Sequence, residues 1–240
     1  MDIRIFPKYD DAEIIKVGNP GLRPQFTNSF ELGYKTNWNE GYLYSALYHK
    51  RMEATITRIA STVPGSNLIY NIFQNAGLSY TAGSEIIISQ NLGNWATFNL
   101  NLNGYQNIVE AFSVLNKYPQ QNTFSASRQK LFSGSVKLNG LFHLPGRYDV
   151  QFTSVYLAPD IVPQGKTYSR FYIDLGIKKS VQEGKGELFL NATDVANTLR
   201  IKKEVQAMGS VLSAQIITKR KLFVWGTIIS FETHVFRRYF

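Results

Sequence analysis

The 240-residue chain contains no cysteine. That excludes a disulfide framework, a thiolate nucleophile and cysteine-based metal sites. No apolar run approaches the roughly 18 residues a membrane helix needs. If the chain crosses a bilayer it does so with strands, because closed barrels are the other structure that satisfies backbone groups in lipid. Charged residues are only 18% of the total, few for a water-facing surface. The N-terminus, MDIRIFPKYDD, lacks the basic and apolar regions of a signal peptide. Acidic residues are outnumbered by basic ones, leaving a net charge of +9. Such a balance raises nucleic acid as a partner. However, the cations are scattered, with small clusters at Lys202–Lys203, Lys219–Lys221 and Arg237–Arg238. No nucleic-acid partner is expected. Lipid headgroups or anionic lipopolysaccharide account for the charge more simply.

What the chain does have is alternation. Residues 95–103 read WATFNLNLN. Phe98, Leu100 and Leu102 point one way, while Thr97, Asn99, Asn101 and Asn103 point the other, as strand geometry requires. A strand apolar on one side and amide-rich on the other suits a barrel wall between lipid and an aqueous lumen. The pattern recurs. Val136, Leu138, Gly140 and Phe142 oppose Ser135, Lys137 and Asn139. Tyr148, Val150, Phe152 and Tyr156 oppose Asp149, Gln151 and Thr153. Phe171, Ile173, Leu175 and Ile177 oppose Tyr172, Asp174 and Lys178. Phe30, Leu32 and Tyr34 oppose Glu31 and Lys35. Tyr42, Tyr44, Ala46 and Tyr48 share a face, although Leu43 and Leu47 make the other face less polar. Aromatics, 14% and mostly Tyr and Phe, fit interfacial girdles.

Turn signals place strands at 29–36, 41–59, 67–89, 95–108, 130–143, 147–158, 167–180 and 186–193, with two more in 200–240. Connections at 36–41, 90–94, 144–147 and 181–186 are short. Those at 59–67, 108–129, 158–167 and 194–200 are mostly longer. Membrane barrels alternate in this way, with short periplasmic turns and long extracellular loops. The segments 41–59 and 67–89 exceed the roughly 9–11 residues of a spanning strand, which predicts one tall hairpin rising past the bilayer. Residues 202–215 admit a short helix.

Catalytic chemistry finds little support. His49, His143 and His234 lie far apart, with no local His/Asp/Glu cluster, so no metal and no cofactor is expected. Glu53, Glu110 and Asp160 are the acids of the long connections through residue 167, and none has a histidine in the same connection. No catalytic residue is assigned, and an enzyme is not expected.

Residues 18–34, GNPGLRPQFTNSFELGY, resemble the GNPxLKPExTxSxELGY element of TonB-dependent receptor barrels, especially the outer-membrane β-barrel family common in Bacteroidetes-like bacteria. Residues 92–105 (LGNWATFNLNLNGY), 172–191 (YIDLGIKKSVQEGKGELFLN) and 191–199 (NATDVANTL) resemble further motifs of that family in the same order. The resemblance covers about residues 14–206. Physically, Pro20 and Pro24 stop the preceding segment, Gly18 and Gly21 permit tight turns, and Asn191, Asp194 and Asn197 can bond their own backbone as the chain leaves the sheet.

The resemblance implies an all-β fold: the antiparallel wall of a transmembrane barrel, about ten strands of a barrel of about 22. It implies a lead-in segment, 1–28, and a single barrel domain, 29–240, from the Gram-negative outer membrane. Relatives carry a plug domain ahead of the GNP element, so the chain is expected to be a C-terminal piece of a longer receptor. Implied partners are outer-membrane lipid, the TonB complex through that plug, an unknown solute, and the barrel-assembly machinery through a terminal strand ending at Phe240. The stretch 209–230 matches no family motif, and the terminal alternation is interrupted by Arg238, His234 and Glu232. Lumen-facing residues would be Glu31, Lys35, Asn99, Asn101, Asn103, Lys137, Asn139, Asp149, Gln151, Asp174 and Lys178. Lipid-facing ones would be Phe98, Leu100, Leu102, Val136, Leu138, Val150, Phe152, Phe171, Ile173 and Leu175. Ligand contacts would come from 59–67 and 108–129, including Tyr118. Two other classes are a non-transporting structural or adhesin-like barrel, and a soluble β-sandwich or lipocalin-like carrier.

Overall fold

The computed structural model describes residues 8–9, 14–62, 68–118, 120–207, 210–217 and 223–229. β1 (Lys8–Tyr9) and β2 (Ile14–Val17) precede the first long strand, β3 (Phe26–Trp38), which turns into β4 (Gly41–Glu53). β5 (Ile56–Thr62) and β6 (Ile69–Asn75) come before β7 (Leu78–Leu92) and β8 (Ala96–Val109). β9 (Phe112–Asn116) and β10 (Asn122–Ala126) come before β11 (Gln129–Leu144) and β12 (Tyr148–Leu157). β13 (Asp160–Val162) and β14 (Gly165–Thr167) come before β15 (Arg170–Val181) and β16 (Gly186–Ala192). β17 (Arg200–Ala207) and β18 (Ser210–Ile217) come before β19 (Phe223–Ile229).

Nine of these strands form one antiparallel meander, ordered β19-β16-β15-β12-β11-β8-β7-β4-β3. Among the described residues the sheet is open, with β3 and β19 as its edges, and no barrel closes. Every connection on one side is a tight turn, from the Trp38/Gly41 pair of β3 and β4 to the Val181/Gly186 pair of β15 and β16. On the other side, β5–β6, β9–β10, β13–β14 and β17–β18 each fold into a hairpin. These hairpins, with β1 and β2, make a cap.

The register fixes two faces. Paired residues of an antiparallel ladder point the same way. Ile86, Leu102, Val136, Tyr156 and Phe171 are successive partners across five strands. Glu85, Asn103 and Ser135 run alongside on the opposite face. By register, the ten residues expected to face lipid lie together on the first face and the eleven expected to face a lumen lie together on the second.

The cap, not the wall, holds the core. One buried cluster joins Ile15, Val17 and Ile72; another joins Ile59, Phe124 and Ala126. On the wall, Phe30, Leu32 and Phe132 are 73%, 75% and 72% exposed. A face this apolar and this uncovered signals a partner medium. Its aromatics form two bands. Trp95 and Phe98 pack on Phe142 near the tight turns, at 6.2 and 5.4 Å between centroids. Phe132, Tyr156 and Phe171 lie toward the cap. Tyr148 and Tyr156 on β12 are roughly 26 Å apart along the strand. At a tilt of about 40° that spans roughly 20 Å, near the apolar band of a membrane barrel.

Four expectations need correction. The tall hairpin does not exist as one piece: Ala54 (φ 51°) and Gly77 (φ 55°) break it, and β5–β6 leaves the wall to join β2. Residues 202–207 and 210–215 are not helical but lie in the paired strands β17 and β18, where the β-branched Ile201, Val205, Val211, Ile216 and Ile217 favour extended chain. The connection expected at 194–200 is far longer, since that hairpin lies within it. Tyr42, Tyr44 and Tyr48 share the polar face with Lys35 and Glu31, whereas Leu43 and Leu47 share the apolar face with Leu32. Their hydroxyls explain the placement: Tyr44 donates to Glu31 and Tyr48 to Asn103, at 2.7 and 2.8 Å. Phe240 and the terminal strand expected to guide assembly lie outside the described residues.

Candidate ligand-recognition cap

The chain enters the wall through residues 18–25, and side-chain amides fasten this segment to the root of the β5–β6 hairpin. Asn19 accepts the Gly21 amide at 2.9 Å, an Asx turn ahead of the wall strand. Its own amide donates to the Phe73 carbonyl at 2.9 Å and to Gln74 Oε1 at 3.1 Å. Asn75 accepts the Arg23 amide at 2.9 Å and donates to the carbonyls of Arg23 and Ala54 at 3.0 and 2.8 Å. Gln25 accepts the Ile56 amide at 2.8 Å.

The network continues into the other hairpins. Gln74 donates to Asn116 Oδ1 at 2.8 Å, Asn116 to Asn122 at 2.9 Å, and Asn122 to Ser61 at 2.9 Å. Asn116 and Ser61 are buried, so unpaired they would be costly; paired, they fix one arrangement. Gln164, also buried, imitates a strand residue. Its Oε1 accepts the Ala60 amide at 2.6 Å and its Nε2 donates to the Ala60 carbonyl at 2.8 Å. The Gln206 amide bonds the Gln164 carbonyl at 2.8 Å, tying in β17. The cap therefore presents a preformed surface rather than four independent loops.

In that surface lies a cavity of about 440 Å³ lined by Val17, Pro20, Ile72, Leu115, Lys117 and Tyr118 among others. Its size and mostly apolar lining suit a small ligand. The Tyr118 ring meets Tyr70 edge-on at 5.7 Å. Of the two stretches expected to hold ligand contacts, 108–129 supplies Leu115, Lys117 and Tyr118. In 59–67, residues 63–67 lie outside the described residues. Sequence reasoning missed the contribution of the lead-in segment, because glycine and proline there signal only a turn.

The 191–199 motif is a hinge between wall and cap. Asp194 (φ 48°) is buried. Its carboxylate accepts the Thr198 amide at 2.9 Å and the Leu199 amide at 3.2 Å. The Asp194 amide donates to Asp174 Oδ1 at 2.8 Å. Asn197 (φ 55°) adopts the left-handed turn, while Asn191 lies beside Gly176 on the polar face. Of the three residues expected to bond the backbone here, Asp194 does so with its side chain.

The residues weighed for catalysis have structural partners. Glu53 pairs with Arg51 at 2.8 Å and Glu110 with Arg128 at 3.1 Å. Asp160 accepts the Tyr105 hydroxyl at 2.7 Å and the Asn107 amide at 3.1 Å, holding β13 to the wall. Among the described residues no three metal-ligating side chains converge. His49 packs on Tyr80 at 6.2 Å and His143 meets Asp149 at 2.7 Å, while His234 lies outside the described residues. In the cap, the Tyr168 hydroxyl beside Glu204, reinforced by Lys166 and Lys202, holds that carboxyl below its ordinary range.

Compared with known families, residues 1–219 match the model of the outer membrane protein beta-barrel family. The chain belongs to this family. Membership gives the nine-stranded sheet its setting, an outer-membrane barrel whose strands cross the bilayer. No curated protein matches the chain. On the polar face of this outer-membrane wall, contacts between strands are themselves polar: Asn101 donates to Glu85 at 2.7 Å and Thr153 to Asn139 at 2.9 Å. Near the tight turns, Lys178 reaches Asp149 at 3.2 Å and Glu187 at 3.3 Å.

Proposed function

We propose that this chain is the C-terminal part of the barrel of a TonB-dependent outer-membrane receptor, which carries a solute into the periplasm. A nine-stranded two-faced wall with open edges carries this reading, together with the motifs at 18–34 and 191–199. The apolar face contacts lipid. The polar face lines a lumen holding a plug from another part of the polypeptide, in a barrel of about 22 strands. Solute meets the cap, where the cavity beside Tyr118 and Lys117 contributes to recognition. The TonB complex then acts through the plug. The wall performs no catalysis; its acids position strands. Assembly proceeds through the barrel machinery, which reads the segment containing Phe240.

The gene tests this directly. A plug domain and TonB-contacting segment encoded in frame ahead of Met1 are expected. Deleting the gene should then abolish growth on one limiting solute, as loss of TonB does. A signal peptide directly ahead of Met1, with no plug, sinks the transport reading and leaves an adhesin-like barrel domain. Solubility without detergent would instead favour the carrier. Exchanging 108–129 for a relative's loop should lower ligand affinity, and unchanged affinity refutes the cavity's role.

A further inference from the structure

Strand register gathers a basic cluster onto one face of the small sheet β13-β14-β17-β18. Lys166 on β14 is the partner of Glu204 on β17. Tyr168, one residue past β14, donates its amide to the Lys202 carbonyl at 3.0 Å, which extends that register. Arg200 and Lys202 share the face of Glu204 through the two-residue period. The Lys166 and Lys202 ammonium groups lie 5.0 and 4.5 Å from the Tyr168 ring centroid. Glu204 accepts the Tyr168 hydroxyl at 2.6 Å and faces Lys166 at 3.8 Å.

Lys166 and Lys202 share one carboxylate, which is already engaged by a hydroxyl, and Arg200 adds a third cation to the same face. Like charges across a sheet face destabilise it. The Tyr168 ring attracts both ammonium groups, so it keeps them together where repulsion would part them. The arrangement is short of negative charge. Its depth is informative as well. Tyr168 precedes Phe171 by three residues, roughly 10 Å of extended chain, and Phe171 belongs to the aromatic band nearest the cap. The cluster therefore stands at the level where headgroups meet water.

We propose that this face binds a phosphate group, with Lys166 and Lys202 as point cations and Arg200 as a forked donor. The phosphate belongs either to a headgroup of the outer leaflet or to a small soluble phosphate. The site rests on the outward placement of the cap and is independent of transport.

The full-length protein, extracted from the outer membrane in detergent, is titrated with radiolabelled inorganic phosphate. It is separately titrated with mixed micelles of bisphosphorylated lipid A, with dephosphorylated lipid A as the comparison. Saturable binding of a phosphate probe is expected, weakened about tenfold or more by Lys166→Gln with Lys202→Gln. Lys185→Gln, at a tight turn on the opposite end of the wall, should leave it unchanged. Saturation by inorganic phosphate identifies a soluble ligand; saturation by phosphorylated lipid A alone identifies a headgroup. Should the double variant fail to assemble, the exposed Arg200→Gln variant replaces it and is expected to weaken binding several-fold. No saturable binding, equal binding of dephosphorylated lipid A, or unchanged affinity in the variants overturns the proposal. Neither solute uptake nor the plug enters the measurement, so failure here leaves the transport reading standing.

Discussion

The ring of Tyr44 on β4 lies across Gly33 on β3. A Cβ at position 33 would sit 2.8 Å from the Tyr44 hydroxyl oxygen and 3.0 Å from its Cε2. The ring covers the gap the glycine leaves in an edge strand, and its hydroxyl reaches on to Glu31. Gly33→Val is expected to expel the ring, break that bond and lower stability by about 1–3 kcal/mol. Urea unfolding of the detergent-folded protein measures this, and an unchanged midpoint would mean the ring swings away freely.

Asn75 closes the root of the β5–β6 hairpin with three backbone bonds. Asn75→Ala leaves those groups to water or unpaired, at a local cost of about 1–3 kcal/mol. Hydrogen exchange at residues 18–25 should quicken while β8 and β11 keep their protection. Uniform loosening of the whole sheet would contradict the latch.

The two wall faces should respond oppositely to charge. Leu100→Arg, midway between the aromatic bands, is expected to cost about 2–4 kcal/mol in a bilayer, whereas Asn99→Arg on the polar face should be near neutral. Folding titrations in lipid vesicles compare them. Equal penalties would remove the assignment of faces to lipid and lumen.

Glu204 sets an acid limit on the cap. Its folded pKa lies below the ordinary glutamate value through the Tyr168 hydroxyl and then Lys166. Its stabilisation is therefore complete above the ordinary value and is lost as pH falls through the lowered one. Protection of β14 and β17 amides should fall on acidification, and Glu204→Gln should flatten that response. A carboxyl titration by NMR at or above the ordinary value would refute it.

The wall was legible because its signal is local. Period-two alternation at Phe98–Asn103 or Asp149–Tyr156 dictates both strand and face, and tight turns dictate order. The tyrosines of β4 misled because a phenol is apolar in its ring and polar at its tip, so only its partner decides its side. The cap was barely legible. Gln164 and Asn116 carry no periodic mark, and what makes them structural is Ala60 and Asn122 arriving from elsewhere. The break at Ala54 was hidden because nothing about alanine announces a left-handed turn. The cavity's glycine–proline wall read only as a bend, since its other side comes from β6 and β9.

β3 and β19 both run from the cap toward the tight turns: β3 ends at the Trp38/Gly41 turn, and Ile229 of β19 pairs with Gly186. Joining these two edges directly would set them parallel, and a second copy of the sheet would meet the same mismatch at both seams. An all-antiparallel ring built on this arc accepts only an odd number of further strands.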